Sequence, residues 1–194
     1  MMNYKFILAS GSPRRQQLLR ELRVPFTVRL ISVEESYPSE MAPEQVASYL
    51  SKKKGQAYQA QMAEDELIIT ADTTVVVGSV LLNKPADAAE ARWMLAQLSG
   101  TVHQVITAVS LTSRASIETF SETTQVFFRS LSEKEIDYYV EHFQPLDKAG
   151  GYAIQEWIGM IGIEKIEGSY FNVVGLPVDK LYQKLKDIAG FTLD

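Results

Sequence analysis

Hydrophobic and polar residues recur along the chain with two periods, one typical of strands and one typical of helices. Short alternating or β-branched runs predict strands, and the most strongly apolar of them covers residues 66–78. Segments with apolar residues three or four positions apart, bounded by Pro, Ser or Gly, predict helices. The predicted strands are 4–10, 26–32, 66–78, 102–113 and 116–130, and the predicted helices are 13–22, 43–63, 86–100, 131–143 and 177–190.

The order of these elements predicts the fold class. Strands alternate with helices in the first half of the chain, and polar residues around Ser113–Ser116 then suggest a hairpin between two long strands. Residues 152–177 read as short strands with a turn at Glu167–Ser169. The pattern therefore predicts an α/β fold, a mixed β-sheet with flanking helices. We find no repeat, low-complexity tract or linker, so one domain over 1–194 is expected.

Composition excludes several classes of site and partner. The chain has no cysteine, which rules out disulfides and thiol catalysis and fits a cytoplasmic protein. Only two histidines, His103 and His142, are present and they stand far apart, which argues against a zinc site. The net charge of −5 argues against binding of nucleic-acid polymers, and no apolar stretch approaches a membrane span. Any metal should be one that prefers Asp and Glu oxygens.

Two adjacent arginines occupy the predicted first turn of a helix. Ser12 can cap this helix and Pro13 suits its first position. The N-terminus of a helix already carries partial positive charge, so Arg14 and Arg15 are unfavourable there unless an anion binds. A bound phosphate or carboxylate would resolve the conflict, because backbone N–H groups and guanidinium groups would share it. Full solvation of both arginines is the alternative.

One carboxylate and one lysine fall at positions where the pattern expects apolar residues. Asp72 interrupts the most apolar predicted strand, which indicates a buried carboxylate that needs a partner or a cation. A salt-bridged Asp at a strand end is the alternative. Lys54 shares one helical face with Val46, Leu50 and Ala57, so it either lies along the edge of the core or points into a cleft.

Further polar residues complete a candidate set for phosphoryl chemistry. Lys84 lies between a strand exit and a helix start, where anion contacts and ordinary loop lysines are both common. Glu34 and Glu35 are neighbours in an extended segment, so only one of them can face a shared site. Asp147 and Gln155 flank a glycine-containing loop. An anion cradle with carboxylates and lysines is the inventory of magnesium-assisted phosphoryl transfer.

Eight segments, in this order, resemble the Maf family of nucleoside triphosphate pyrophosphatases along essentially the whole chain. They are "ASGSPRRQQLL", "VEE", "KKKGQA", "ADTTVV", "NKP", "LSGTVHQVITAV", "PLDKAGGYAIQ" and "GSYFNVVGLP". The resemblance implies a single Maf-like domain with an inosine-triphosphatase-like fold, two lobes around a central cleft. It also implies a divalent cation, Mg²⁺ or Mn²⁺, and hydrolysis of a nucleoside triphosphate substrate to the monophosphate and pyrophosphate.

The resemblance also assigns roles to individual positions. Asp72 matches the residue that accepts a proton from the attacking water, and it would hold the metal together with Glu35. Arg14, Thr73 and Gln155 match the positions that mark the dTTP/UTP branch. The positions assigned to phosphate, metal or substrate are Ser10, Arg14, Arg15, Glu35, Lys54, Lys84 and Asp147.

The chain departs from the family pattern at a few positions. Gly55 and Gly151 stand where alanine is usual, and "AIQE" replaces the commoner "GIQG" around Gln155. A second class of function stays open, because family members have been associated with septum formation. In that alternative the chain is an interaction protein of cell division with weak or residual hydrolase activity. The sequence also leaves open a homodimer and a modified pyrimidine nucleotide as the substrate.

Overall fold

The computed structural model describes residues 4–192, which form seven strands and seven α-helices. The strands are β1 (Lys5–Leu8), β2 (Phe26–Val28), β3 (Glu66–Val77), β4 (Val80–Leu82), β5 (Val102–Thr112), β6 (Ile117–Phe128) and β7 (Ile163–Glu167). The helices are α1 (Pro13–Glu21), α2 (Pro43–Gln59), α3 (Ala88–Leu98), α4 (Glu133–Phe143), α5 (Trp157–Gly162), α6 (Tyr170–Val174) and α7 (Val178–Ala189).

The five helices and five strands predicted from the pattern are confirmed, with shorter bounds at several ends. The predicted capping box of α4 is present, because Ser132 and Glu135 each accept from the other's backbone N–H. The hairpin between β5 and β6 is closed by a hydrogen bond from Ser113 N to Ser116 O. The short strand β4 was not predicted, and β2 ends four residues before its predicted limit of 32, at Val28.

The prediction of short strands throughout residues 152–177 is wrong in part, since only β7 is a strand there. The segment also contains helices α5 and α6. Within α5, Ile158 is fully buried in the core of the second unit, and Gly159 lies so close to the Ile154 carbonyl that no side chain would fit. Burial of Ile158 is a tertiary constraint, and such constraints override local β propensity.

The strands form a mixed sheet, as predicted, with the order β2-β1-β3-β5-β6-β7 and β4 beside β3. Strand β1 is parallel to β2 and to β3, whereas β4 is antiparallel to β3 and β7 is antiparallel to β6. Leu8 at the end of β1 pairs with Ile69, so Ser10 and Asp72 both follow the paired region in the same direction. Ligands of open α/β sheets bind beyond the carboxyl ends of parallel strands, so a ligand site is expected at this edge of the sheet.

Contacts divide the chain into two compact units. The first unit takes in residues up to Asp72, Thr107–Glu122 and the segment from Gly175 onwards, and the second takes in Thr73–Ile106 and Thr123–Val174.

Each unit has its own hydrophobic core. In the first unit, Ile7, Ile68, Tyr58 and Met62 pack together. The second unit has a larger cluster, in which α3, α4, α5 and the strands contribute fully buried residues such as Leu95, Leu98, Val126, Tyr139 and Ile158.

Gly55, one of the departures from the family pattern, has a structural reason within the first unit. A Cβ at this position of α2 would clash with Oγ1 of Thr112. That hydroxyl oxygen is buried and makes no hydrogen bond to the described residues. The absence of a side chain at position 55 therefore lets α2 pack closely against Thr112, directly beside Lys54.

Candidate active site

The loop after β1 and the first turn of α1 form the first part of the candidate site. Ser12 caps α1, because its hydroxyl accepts from the backbone N–H of Arg15 at 3.5 Å, and Ser10 Oγ accepts from Ser12 N at 3.3 Å. The Arg15 guanidinium donates to two backbone carbonyls, through Nε to Gly175 O and through Nη1 to Ala71 O, each at 2.9 Å. Its Nη1 atom also donates to the hydroxyl oxygen of Ser10 at 3.4 Å. Arg15 therefore ties the helix start to the residue that precedes Asp72.

Arg14 occupies the same first turn of α1 and is half-buried. This turn contains no acidic residue to balance the two guanidinium groups. Together with the partial positive charge of the helix N-terminus, they make this end of β1 attractive to an anion.

Lys54 lies between two carboxylates, and this is the central contact of the site. Its Nζ atom is 2.6 Å from Asp72 Oδ1 and 2.7 Å from Glu35 Oε1. The side chains of Lys54 and Asp72 are only 15% and 12% exposed, whereas that of Glu35 is 48% exposed. Helix α2, strand β3 and the loop after β2 thus each supply one member of a charged cluster at the end of the parallel strands.

The electrostatics of Asp72 follow from its burial. Burial raises the pKa of the Asp72 carboxyl above its usual range, while the Lys54 ammonium and the Arg15 guanidinium oppose this shift. A buried carboxylate in this position is stabilised chiefly by its cationic partners. The salt bridge of the structural alternative is present, although Asp72 lies inside β3 and not at its end.

Lys53, the neighbour of Lys54, was not singled out by the sequence and holds the loop of Glu35. Its Nζ atom donates to the backbone carbonyl and to the hydroxyl of Ser36, both at 2.8 Å. Two consecutive lysines of α2 therefore contact two consecutive residues, Glu35 and Ser36. The repeated "KKK" gave no sign of this, because the loop 29–38 contains no regular structure that would fix its register.

The remaining predicted residues, Thr73, Lys84, Asp147 and Gln155, belong to the second unit. Thr73 is half-buried on β3, while the other three are exposed in loops. The loops of Lys84 and Asp147 are joined by a hydrogen bond from Gly150 N to Asn83 O at 3.1 Å. Gly150 has a positive φ of 70°, which suits glycine and lets the backbone turn there.

Gln155 opens into a pocket of about 410 Å³ in the second unit. The pocket is lined mainly by apolar side chains, among them Ile154, Ile163, Ile166 and the exposed Met160. The lining also includes the charged residues Glu164 and Lys165 and the ring of Tyr170, so the pocket offers both apolar surface and polar groups to a ligand.

The loop of Asp147 and Gln155 also carries a charged cluster that the sequence did not reveal. Lys148 is 8% exposed, and its Nζ atom is 2.7 Å from Asp147 Oδ1 and 3.4 Å from Glu156 Oε1. The hydroxyl of the fully buried Tyr139 donates to Glu156 Oε2 at 2.5 Å. Glu156 is the departure from the family pattern in "AIQE", and it has specific partners. Its contacts involve α4, which lies too far along the chain for a local pattern to predict them.

The donor set fits a divalent cation bound together with substrate. Within residues 4–192 no group of three or more His, Asp or Glu side chains could hold a metal by itself. Glu35 and Asp72, however, each place one oxygen within 2.7 Å of the same cationic atom, Lys54 Nζ, so their oxygens could also share a metal ion. Mg²⁺ is typically held by one or two carboxylates plus substrate phosphates and water, which is what this pair offers.

Comparison with known proteins decides the family. The model of the family described as Maf-like protein matches residues 5–188. The chain belongs to the Maf family. Across the portion that the structure describes, no helix of this Maf protein is both long and apolar enough to cross a membrane.

Curated relatives match the Maf chain over nearly its whole length. A protein of Phocaeicola vulgatus is 50% identical over 95% of this chain and 96% of its own, and one of Parabacteroides distasonis is 49% identical over 96% and 97%. A Christiangramia forsetii protein is 47% identical over 97% and 96%. All three are named dTTP/UTP pyrophosphatase. The Staphylococcus aureus Ham1 protein has a TM-score of 0.45 at 12% identity, over 64% of this chain and 71% of its own.

Proposed function

We propose that this Maf protein is a nucleoside triphosphate pyrophosphatase that hydrolyses dTTP and UTP to the monophosphate and pyrophosphate. The observation that carries the proposal is the contact of Lys54 with both Asp72 and Glu35, beside a helix start that bears two arginines. The activity named for relatives at about 50% identity supports it. The proposal includes a single Maf-like domain. It also includes a location in the cytoplasm, which the lack of cysteine supports.

The proposed reaction is attack of water on the α-phosphorus. As the oxygen of the water bonds to the α-phosphorus, Asp72 accepts a proton from that water. The bond between the α-phosphorus and the oxygen that bridges the α- and β-phosphates breaks. Pyrophosphate leaves with that oxygen. Lys54 donates to Asp72 Oδ1, so it orients the carboxylate and leaves the second oxygen to face the water.

The triphosphate is proposed to bind at the start of α1. Ser10, Arg14 and Arg15 would contact its phosphate oxygens. Lys84, in the second unit, is proposed as a substrate contact on the family resemblance alone. Arg15 is held by the backbone carbonyls of Ala71 and Gly175, so its charge is positioned before substrate arrives.

The proposed metal ligands are Glu35 and Asp72. A bound Mg²⁺ or Mn²⁺ would neutralise charge on the phosphates and polarise the phosphoryl group. The proximity of these two carboxylates is maintained by Lys54 on one side and, through Ser36, by Lys53 on the other.

The base is proposed to be read by Thr73 and Gln155, with Asp147 as a further substrate contact. A uracil or thymine edge presents two carbonyl acceptors and one N–H donor, and a glutamine amide can meet an acceptor and a donor together. The pocket that Gln155 lines supports this placement, because most of its side chains are apolar and could pack against a pyrimidine ring.

A nucleotide panel with separate detection of phosphate and pyrophosphate tests the activity. With Mg²⁺ present, we expect dTTP and UTP to yield pyrophosphate and the monophosphate, and CTP and purine nucleotides to react poorly. Release of orthophosphate with the diphosphate as the other product would refute cleavage between the α- and β-phosphates. No turnover of any nucleotide would favour the alternative of an interaction protein in cell division.

Replacing Gln155 with Glu tests the assignment of the base contact. A carboxylate offers no donor to a base carbonyl, so we expect kcat/KM for dTTP and UTP to fall roughly 10- to 100-fold, the cost of about one to two hydrogen bonds. The exposed position of Gln155 means that folding should not change. Glu164→Gln, at a pocket residue with no proposed base contact, is the control. Equal kcat/KM for dTTP and CTP in the unmodified protein would show that the base assignment is wrong.

A further inference from the structure

The loop 147–156 is anchored to the second unit at separate points along its length. Gly150 N donates to Asn83 O, and the Tyr152 hydroxyl lies 2.7 Å from His103 Nε2. Tyr152 and His103 are almost fully buried and their rings pack edge to face. The middle of the loop is therefore held independently of its last residues.

The end of the loop, which carries Gln155, contacts the buried hydroxyl of Tyr139 at two residues. The Tyr139 oxygen accepts from Ala153 N at 3.2 Å and donates its proton to Glu156 Oε2 at 2.5 Å. Ala153 and Glu156, the two residues that are hydrogen-bonded to this oxygen, precede and follow Gln155 in the sequence. Burial and the nearby Glu156 carboxylate raise the pKa of Tyr139, so the hydroxyl keeps the proton that it donates.

Glu156 also connects the end of the loop to its beginning. Its second oxygen, Oε1, lies 3.4 Å from Nζ of Lys148, which is itself 2.7 Å from Asp147 Oδ1. Lys148 is buried, and a buried ammonium needs compensating charge. The Asp147 side chain is 60% exposed, whereas that of Glu156 is only 24% exposed. Of the two carboxylates near Lys148, Glu156 is therefore the one better shielded from solvent.

We propose that Glu156 is a positioning residue for substrate binding: by accepting from Tyr139 and facing Lys148, it holds both ends of the loop that carries Asp147 and Gln155. This proposal rests on the proposed function of that loop in contacting the nucleotide. The residues assigned to the reacting phosphorus, Asp72 and Lys54, are not part of the cluster. Loss of Glu156 should therefore weaken nucleotide binding and base preference rather than the chemical step.

Three variants separate the contributions of hydrogen bond and charge. Glu156→Ala removes both contacts, Glu156→Gln keeps an acceptor for Tyr139 but removes the charge beside Lys148, and Tyr139→Phe removes the bracketing hydroxyl. The matched control is Glu141→Ala on the same helix as Tyr139, where the carboxylate pairs only with the surface residue Arg92 among the contacts described.

Two measurements on the full chain test the proposal, amide hydrogen exchange over residues 147–156 and steady-state kinetics with dTTP and CTP. For Glu156→Ala and Tyr139→Phe we expect exchange at residues 153–156 to accelerate about tenfold. We also expect KM for dTTP to rise about tenfold with kcat within about twofold, and the dTTP/CTP preference to narrow. Glu156→Gln should show a smaller change, and Glu141→Ala none.

The outcomes separate this inference from the proposed function. If the unmodified protein releases no pyrophosphate from dTTP or UTP, the proposed function fails, while hydrogen exchange still reports on the anchoring. Unchanged exchange in Glu156→Ala would overturn the anchoring. Accelerated exchange with an unchanged KM and an unchanged dTTP/CTP ratio would overturn the positioning role. A fall in kcat alone would do the same, because it would place Glu156 in the chemical step.

Discussion

Asp72→Asn should abolish most of the activity while leaving the fold intact. Asparagine has nearly the same shape as aspartate but cannot accept the proton of water, and loss of a general base typically lowers kcat by about 10²–10⁴-fold. Asp72→Asn also removes one of the two carboxylates that contact the mostly buried Lys54 ammonium, which keeps Glu35, so the chain should still fold but lose about 1–3 kcal/mol of unfolding free energy. Steady-state release of pyrophosphate from dTTP and urea denaturation measure the two quantities.

The matched control for this variant is Asp65→Asn. Asp65 lies just before the same strand, is half-exposed and pairs with Lys5 at the surface of the first unit. We expect its turnover to equal that of the unmodified protein. Near-normal turnover of Asp72→Asn, with the same metal present, would return Asp72 to a purely structural role.

Lys54→Met should impair both catalysis and stability. Methionine can replace the aliphatic stem but leaves Asp72 and Glu35 without their shared cation, and two carboxylates then face each other. Each lost charge-assisted hydrogen bond is worth about 1.5–3 kcal/mol, so kcat/KM should fall about 10²-fold or more. Because Asp72 is buried, the protein should also lose about 2 kcal/mol of unfolding free energy.

A double-mutant cycle distinguishes this from a general effect on helix α2. In Lys54→Met combined with Asp72→Asn, no buried charge is left uncompensated, so the double variant should be more stable than Lys54→Met alone. Lys52→Met changes an exposed lysine of the same helix and should alter neither quantity. Additive losses of stability in the double variant would contradict the pairing of Lys54 with Asp72.

Much of the fold could be predicted because the determining signals are local. The cap and Pro at the start of α1, the capping box of α4 and the β-branched run of β3 each act within a few residues. Helix α5 was not predicted because it depends on the packing of Ile158 in the core of the second unit. A sequence pattern cannot report such a contact.

The residues of the candidate site were likewise predictable only where the signal was local. Asp72 and Lys54 could be singled out because each breaks an apolar pattern, and they lie 2.6 Å apart. The extended-strand argument for Glu34 and Glu35 was wrong about the strand, since β2 ends at Val28, although Glu35 contacts Lys54. The roles assigned to Thr73, Lys84, Asp147 and Gln155 remain predictions that depend on the family resemblance.

Other participants gave no signal at all. Lys53 holds Ser36, while Glu156 and Tyr139 meet across 17 residues of sequence in a hydrogen bond that depends on how α4 packs. Charged residues of this kind resemble ordinary surface residues until their partners are known.

The hydrogen bond from Arg15 to the carbonyl of Gly175 has a consequence for the protein as it leaves the ribosome. The donor is made among the first residues and the acceptor 160 positions later, and the helix α7 that follows buries Leu181 and Leu185. The hydrogen bond that joins Arg15 to Gly175 therefore cannot form until residue 175 has been translated. A nascent or truncated chain that stops before residue 175 lacks this hydrogen bond, so the candidate hydrolytic centre should become competent only after that residue has been synthesised.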